Sequence, residues 1–184
     1  TINVSKEIKP NYMQKNALES LDNLRKNNKD KALLISATGT GKTYLAAFDV
    51  KIVHPKRMLF VVHRRSIAIK AMETLKTIIK DKSMGLFSGD NRDIDCDYIF
   101  ATIQTIYKPE NRQLFSKEEF DYIIIDEVHK AGANSYQELV NYFKPQFLLG
   151  MSATPERTDD FDIYKMFDYN IAYEIRLQQA MEYD

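Results

Sequence analysis

The segment SATGTGKT runs from Ser36 to Thr43, directly after the apolar stretch KALLISA and before the helical stretch KTYLAAFDVKIV. A strand, a glycine-bearing loop and a helix in that order form the setting in which a chain cradles phosphate groups. Gly39 and Gly41 let the backbone approach phosphate oxygens and turn N–H groups toward them. Lys42 is placed to set a positive charge on the β- and γ-phosphates, and the Thr43 hydroxyl to ligate Mg²⁺. The start of the following helix adds its partial positive charge. Ser36 stands where the general pattern has glycine, which is tolerable if its backbone is ordinary there. Standing alone, the segment could be a glycine turn that caps a helix.

A second candidate, IIIDEVH, places Asp126 and Glu127 where an apolar run ends. Two adjacent acids at the rim of a core suit a divided task. On an extended strand, successive side chains point to opposite sides. Asp126 is then expected to hold Mg²⁺ through water, and Glu127 to orient or deprotonate an attacking water. Without a phosphate loop, such a pair is also a common solvent-facing strand end. A third segment, LGMSATPERTD, puts Ser152 and Thr154 after another apolar run. They could bond to the acid motif and relay nucleotide state, although Ser and Thr at strand ends often only satisfy backbone groups.

The elements that must position these groups are legible as an alternation. Apolar runs at 31–37, 57–63, 85–89, 97–102, 121–127 and 147–153 read as buried strands, continuous as parallel strands covered on both faces are. Between them lie amphipathic helical stripes. Ile67, Ala71, Met72, Leu75, Ile78 and Ile79 share one stripe, with Ser66 placed to cap it. Met13, Ala17, Leu21 and Leu24 form another, beginning after Pro10 and Asn11. The alternation predicts an α/β fold, a mainly parallel doubly wound sheet with helices on both faces and right-handed crossovers. Ligands bind such sheets beyond the carboxyl ends of the strands, where all three segments fall.

Composition bounds the rest. A chain of 184 residues, 44% hydrophobic and 28% charged, suits one folded domain and excludes a mostly disordered one. No apolar run approaches the ~20 residues a membrane-spanning helix requires. The single cysteine, Cys96, cannot form an internal disulfide, and a reducing cytoplasm fits best. No Cys/His spacing suits zinc. The net charge is zero, yet residues 1–92 carry 18 Lys and Arg against 8 Asp and Glu, and residues 93–184 carry the reverse. A basic half could offer a surface to a polyanion, or the charges could intermingle on folding.

The order of phosphate loop, D-E-x-H and S-A-T resembles the first RecA-like motor domain of superfamily-two helicases and translocases. Within these it is similar to the D-E-x-H group of restriction-enzyme motor subunits and DNA-repair helicases. The likeness runs from about Ile8 to the end, with ATGTGKT as motif I, DEVH as motif II and SATPERTD as motif III. It implies ATP and Mg²⁺ as cofactors, bound by Thr38, Gly39, Thr40, Gly41, Lys42 and Thr43. Lys42, Asp126 and Glu127 would be the catalytic residues, with Thr43 and Asp126 on the metal. Gln14 falls where the family keeps a glutamine that reads the adenine edge, although Met13 separates it from Tyr12, where the family often has Tyr directly before the glutamine. On residue type alone, Gln14 is a polar group on a helix surface. His129, Ser152 and Thr154 would couple the nucleotide site to the rest of the motor.

Two further segments resemble the family's nucleic-acid motifs. VVHRRSIAIKA contributes His63, Arg64 and Arg65, and ATIQTI contributes Thr102, Gln104 and Thr105. Hydroxyls, amides and arginines at strand ends suit contacts to a phosphate backbone, which position a strand without reading its sequence. The resemblance implies DNA as partner, with RNA as the alternative, and no membrane. It also implies a second RecA-like lobe, whose arginines stabilise the transferring phosphoryl group by on the order of 10³–10⁵ in rate. Residues 1–184 are therefore expected to be lobe one alone, weak or inactive by itself. Two rival readings remain at this point: a nucleotide-sensing module that grips nucleic acid without being a motor, and an unrelated phosphate-loop ATPase or kinase.

Overall fold

In a computed structural model, the structure describes residues 7–36, 39–128, 133–153 and 162–175. The first helix, α1 (Tyr12–Lys26), starts where the sequence places it. Asn11 caps it by accepting from Gln14 N while the Gln14 side chain accepts from Asn11 N, so two otherwise orphaned donors are satisfied reciprocally. Ala17, Leu18 and Leu21 bury its apolar stripe.

All six apolar runs form strands: β1 (Lys31–Ser36), β2 (Met58–Val62), β3 (Met84–Ser88), β5 (Tyr98–Thr102), β6 (Tyr122–Ile125) and β7 (Phe147–Ser152). Two more were not anticipated, the two-residue β4 (Asn91–Arg92) and β8 (Ile171–Ile175). Together they make one eight-stranded sheet in the order β4-β3-β5-β2-β6-β7-β1-β8. Every pairing is parallel except the β3–β4 pair.

Alternate strand residues feed two cores. Leu34, Phe60, Phe100, Ile124 and Leu149 join one with α1, α2 (Gly39–Val53) and α3 (Arg65–Ile78). Leu33, Val61, Ile99, Ile123 and Leu148 join the other with α6 (Asn134–Tyr142) and the short helices α4 (Ile103–Ile106) and α7 (Ile163–Met166). A sheet covered on both faces explains why its strands read as unbroken apolar runs. α5 (Pro109–Arg112) is a single exposed turn that opens on proline.

Two local expectations are corrected. Ser66 does not cap α3: the helix begins at Arg65, Arg64 holds the capping position, and no side chain bonds to the helix end. Only two residues separate the end of β2 from α3, so Ser66 is already inside the first turn. α2 also starts at Gly39 rather than Lys42, which brings the second half of the phosphate loop into the helix.

Candidate functional site

The sheet order gathers the three motifs. β6, β7 and β1 are neighbours, so the loop after β1, the acids after β6 and Ser152 at the end of β7 share one rim at the carboxyl ends of the strands. Ser36 is the last residue of β1, in extended backbone that any residue adopts. Gly41 lies in the first turn of α2, where N–H groups have no partner within the helix and face outward along its axis, and Lys42 and Thr43 follow it directly. Gly39 and Thr40 open the same helix. Thr38, His129 and Thr154 lie outside the described residues.

Lys42 is 7% exposed, unusual for a lysine and tolerable only with a charged partner. Its Nζ lies 3.7 Å from Asp126 Oδ1. The N–H of Asp126 donates to the Val61 carbonyl at 2.9 Å, so the ladder between β6 and β2 continues one residue past the strand. The chain then turns. Glu127 has φ +52°, the left-handed region that bulky residues avoid, and its N–H donates to Asp126 Oδ1 at 2.9 Å. The expectation that strand alternation separates the two acids is therefore corrected, because the reversal at Glu127 redirects it.

Glu127 meets β2 instead. His63 Nδ1 lies 3.1 Å from Glu127 Oε2, with both side chains partly open to solvent. The register explains the meeting. Val61 pairs with Ile125, and two more residues along both chains set His63 opposite Glu127. The His63 carbonyl accepts from Gln104 Nε2 at 2.9 Å. Arg64 and Arg65 are exposed beside it. Thr102 is buried, its hydroxyl 3.2 Å from Ser88 Oγ and 3.0 Å from Thr105 Oγ1, so it positions Thr105 from beneath. Gln104 is exposed and Thr105 half-buried. The nucleic-acid candidates thus line the β2–β5 side of the rim, the nucleotide candidates the β6–β7–β1 side, and β6 borders both.

Gln14 is brought to the loop: its Nε2 donates to the Gly41 carbonyl at 3.4 Å. Ser152 is fully buried at the end of β7, paired in register with Ile35 of β1.

Sequence reading missed Tyr136 on α6. It is 3% exposed, and its hydroxyl has no hydrogen-bond partner among the described residues. Burial, and then the charges of Glu127 and Asp126, push its pKa up to about 12. It also missed the His63–Glu127 contact, which depends on strand order rather than on any local pattern. For Asp49 a signal did exist: an acid inside the apolar helix LAAFDV must find a buried partner, and Arg25 supplies it.

The residues present fit a magnesium nucleotide. Mg²⁺ takes hard oxygen ligands and usually keeps water and substrate phosphates, so one carboxylate and one hydroxyl suffice. Asp126 and Thr43 offer those groups, and the buried Lys42 ammonium supplies the charge a polyphosphate requires.

A mainly parallel sheet with a phosphate loop after β1 and an acid pair after β6, the two strands flanking β7, defines a RecA-like motor domain of superfamily two. The chain belongs to the family described as Type III restriction enzyme, res subunit, which matches residues 7–157. It is 32% identical over 165 residues to the Type I restriction enzyme EcoAI endonuclease subunit of Escherichia coli, covering 82% of this chain and 20% of that one. It is 33% identical over 140 residues to the putative ATP-dependent helicase IRC3 of Saccharomyces cerevisiae, covering 67% of this chain and 20% of that one. In structure it resembles the ATP-dependent Type ISP restriction-modification enzyme LlaBIII bound to DNA, with a TM-score of 0.72, 18% identity, and coverage of 100% of this chain and 16% of that one. The chain thus spans about a fifth of the length of these curated relatives. Family membership implies nucleotide binding and supports ATPase activity in general. Among the described residues, no helix is long and apolar enough to cross a membrane.

Proposed function

We propose that this chain is the ATP-binding lobe of a DNA-dependent ATPase, a helicase or translocase that works in restriction or repair. The observation that carries the reading is the buried Lys42 ammonium 3.7 Å from Asp126, with Glu127 next in the chain, on the rim where β1 and β6 end. The loop from Thr38 to Thr43 holds the triphosphate, Lys42 faces its β- and γ-oxygens, and Gln14 meets the adenine. Thr43 and Asp126 would hold Mg²⁺, which would supply positive charge against the phosphates. Glu127 orients a water in line with the γ-phosphorus and accepts its proton as the new P–O bond forms and the bond to the bridging oxygen breaks, releasing ADP and phosphate.

A second RecA-like lobe in the intact protein would close on the same nucleotide and contribute arginines. This chain alone then binds Mg·ATP and turns it over slowly. His63, Arg64, Arg65, Gln104 and Thr105 face a nucleic-acid backbone, with Thr102 beneath them, and His129, Ser152 and Thr154 carry nucleotide state inward.

Glu127→Gln in the full-length natural protein tests the reading: hydrolysis should vanish while Mg·ATP binding persists. Retained turnover would remove Glu127 from its role. Competition between matched DNA and RNA decides the polymer, and preference for RNA would overturn the DNA assignment.

A further inference from the structure

His63 is held from two directions. Its imidazole reaches the Glu127 carboxylate at 3.1 Å, and its carbonyl receives the Gln104 amide at 2.9 Å. The first contact belongs to the nucleotide side of the rim and the second to the other side. Glu127 itself sits at φ +52°, a conformation that a residue with a side chain adopts at a cost and that persists only where neighbours enforce it. The His63 ring and the Asp126 carboxylate that accepts from Glu127 N are two such neighbours.

The pair is not built as a structural staple. The side chains remain 16% and 31% exposed, whereas Asp49, which joins Arg25 elsewhere in the fold, is wholly buried. Open space of about 400 Å³ lies against His63, lined also by Gln104, Tyr107, Ser135 and Tyr136. The ring therefore has room to leave Glu127, and Gln104, itself exposed, lines the same space. The other described imidazole, His54, pairs with Asp81 and has no part in the rim.

We propose that His63 is a positioning residue that ties the Glu127 carboxylate to the nucleic-acid face, so that a strand engaging Gln104 and the 63–65 turn sets where that carboxylate points. This rests on the functional reading above. Without nucleic acid, one Glu127 oxygen is engaged by the ring. A strand that draws on Gln104 or on Arg64 and Arg65 shifts the end of β2, withdraws the ring, and lets the Glu127 carboxylate turn toward the attacking water. Turnover then responds to nucleic acid through the His63–Glu127 contact.

The test uses the full-length natural protein as wild type, His63→Ala, His63→Asn and Glu127→Gln. ATP turnover is measured at saturating Mg·ATP across a titration of duplex DNA, with matched RNA in parallel. In His63→Ala, the ratio of nucleic-acid-saturated to basal turnover should fall about fivefold or more, the lower end of an ordinary coupling between sites, mainly through a higher basal rate. The half-saturating concentration of nucleic acid should fall rather than rise, because the strand no longer has to displace the ring. His63→Asn, whose amide nitrogen can occupy roughly the place of Nδ1, should restore most of the ratio, and it keeps the test decisive if the alanine variant does not fold. An unchanged ratio in both variants would overturn the proposal. So would a loss confined to the half-saturating concentration, which would make His63 a plain strand contact. Wild-type turnover that ignores nucleic acid, or that survives Glu127→Gln, would instead overturn the functional reading itself.

Discussion

Gln14 joins the start of α1 to the phosphate loop: its Nε2 donates to the Gly41 carbonyl at 3.4 Å while its Oε1 accepts from Asn11 N at 2.9 Å. The amide is thus held at both ends, with its donor turned toward the nucleotide side. Gln14→Ala should weaken Mg·ATP binding about tenfold, equivalent to ~1.4 kcal/mol, and reduce the preference for ATP over GTP. It should also lower stability by ~1 kcal/mol through loss of the capping box. Gln14→Glu keeps the acceptor for Asn11 and removes the donor. Titration calorimetry should find the affinity lost and the stability kept in that variant, which separates the two roles.

Asp49, on the inner face of α2, is buried completely and receives Arg25 Nη1 at 2.9 Å, Arg25 Nη2 at 2.6 Å and the Tyr122 hydroxyl at 2.5 Å. Arg25 also lies over the Phe147 ring, 4.8 Å from its centre. Burial first, and the nearby Asp49 charge second, hold the Tyr122 phenol neutral far above its ordinary range. Asp49→Ala leaves the guanidinium without its partner and should cost ~3–5 kcal/mol in denaturant unfolding. The double variant Arg25→Met with Asp49→Leu should recover much of that loss, because two apolar side chains leave no charge stranded. A double variant as unstable as the single one would refute the electrostatic account.

The parts legible in the sequence were those that repeat locally. Six buried strands announce themselves as apolar runs, and the phosphate loop, Asp126 and Glu127 fall at the ends of β1 and β6 as read. β4 was missed because a two-residue pairing at Asn91 and Arg92 has no apolar run to show. β8 was missed because IAYEI is short and follows a polar stretch rather than a helical stripe. The α3 cap was misplaced because a tight strand-to-helix turn put Arg64, not Ser66, at the boundary. The division of labour between the acids rested on alternation that ends at Ile125. The His63–Glu127 contact lay beyond reach, since it exists only because β2 and β6 are neighbours in the sheet.

Gly150 sits inside β7, and a Cβ added there would collide with the Cζ edge of the Phe167 ring, which is itself fully buried. The glycine is required by this close approach of the segment after α7. Gly150→Ala should therefore destabilise the fold by ~1–3 kcal/mol, as overpacking does in a dense core. Combining it with Phe167→Leu should cost less than the sum of the two single changes, because the ring and the new methyl compete for one volume. Additive losses in thermal unfolding would show that Phe167 is not the obstacle.

Tyr136 offers a spectroscopic reading of the acid pair. Its phenol ionises at about 12 rather than 10, chiefly through burial and then through the charges of Glu127 and Asp126. Between those values the unfolded chain has lost the Tyr136 proton and the native protein retains it. Stability from this group is therefore full below about pH 10, declines as pH rises toward 12, and is gone above it. Tyr136→Phe should flatten that part of the stability profile, and the difference in phenolate absorbance between wild type and variant isolates this one ring. Removing a buried hydroxyl that lacks a partner among the described residues should leave stability at neutral pH unchanged or slightly higher. In Glu127→Gln the Tyr136 transition should move downward, because one of the two negative charges that oppose ionisation is gone. A transition that stays at about 12 in that variant would mean that burial alone sets it, and that Glu127 does not bear on Tyr136.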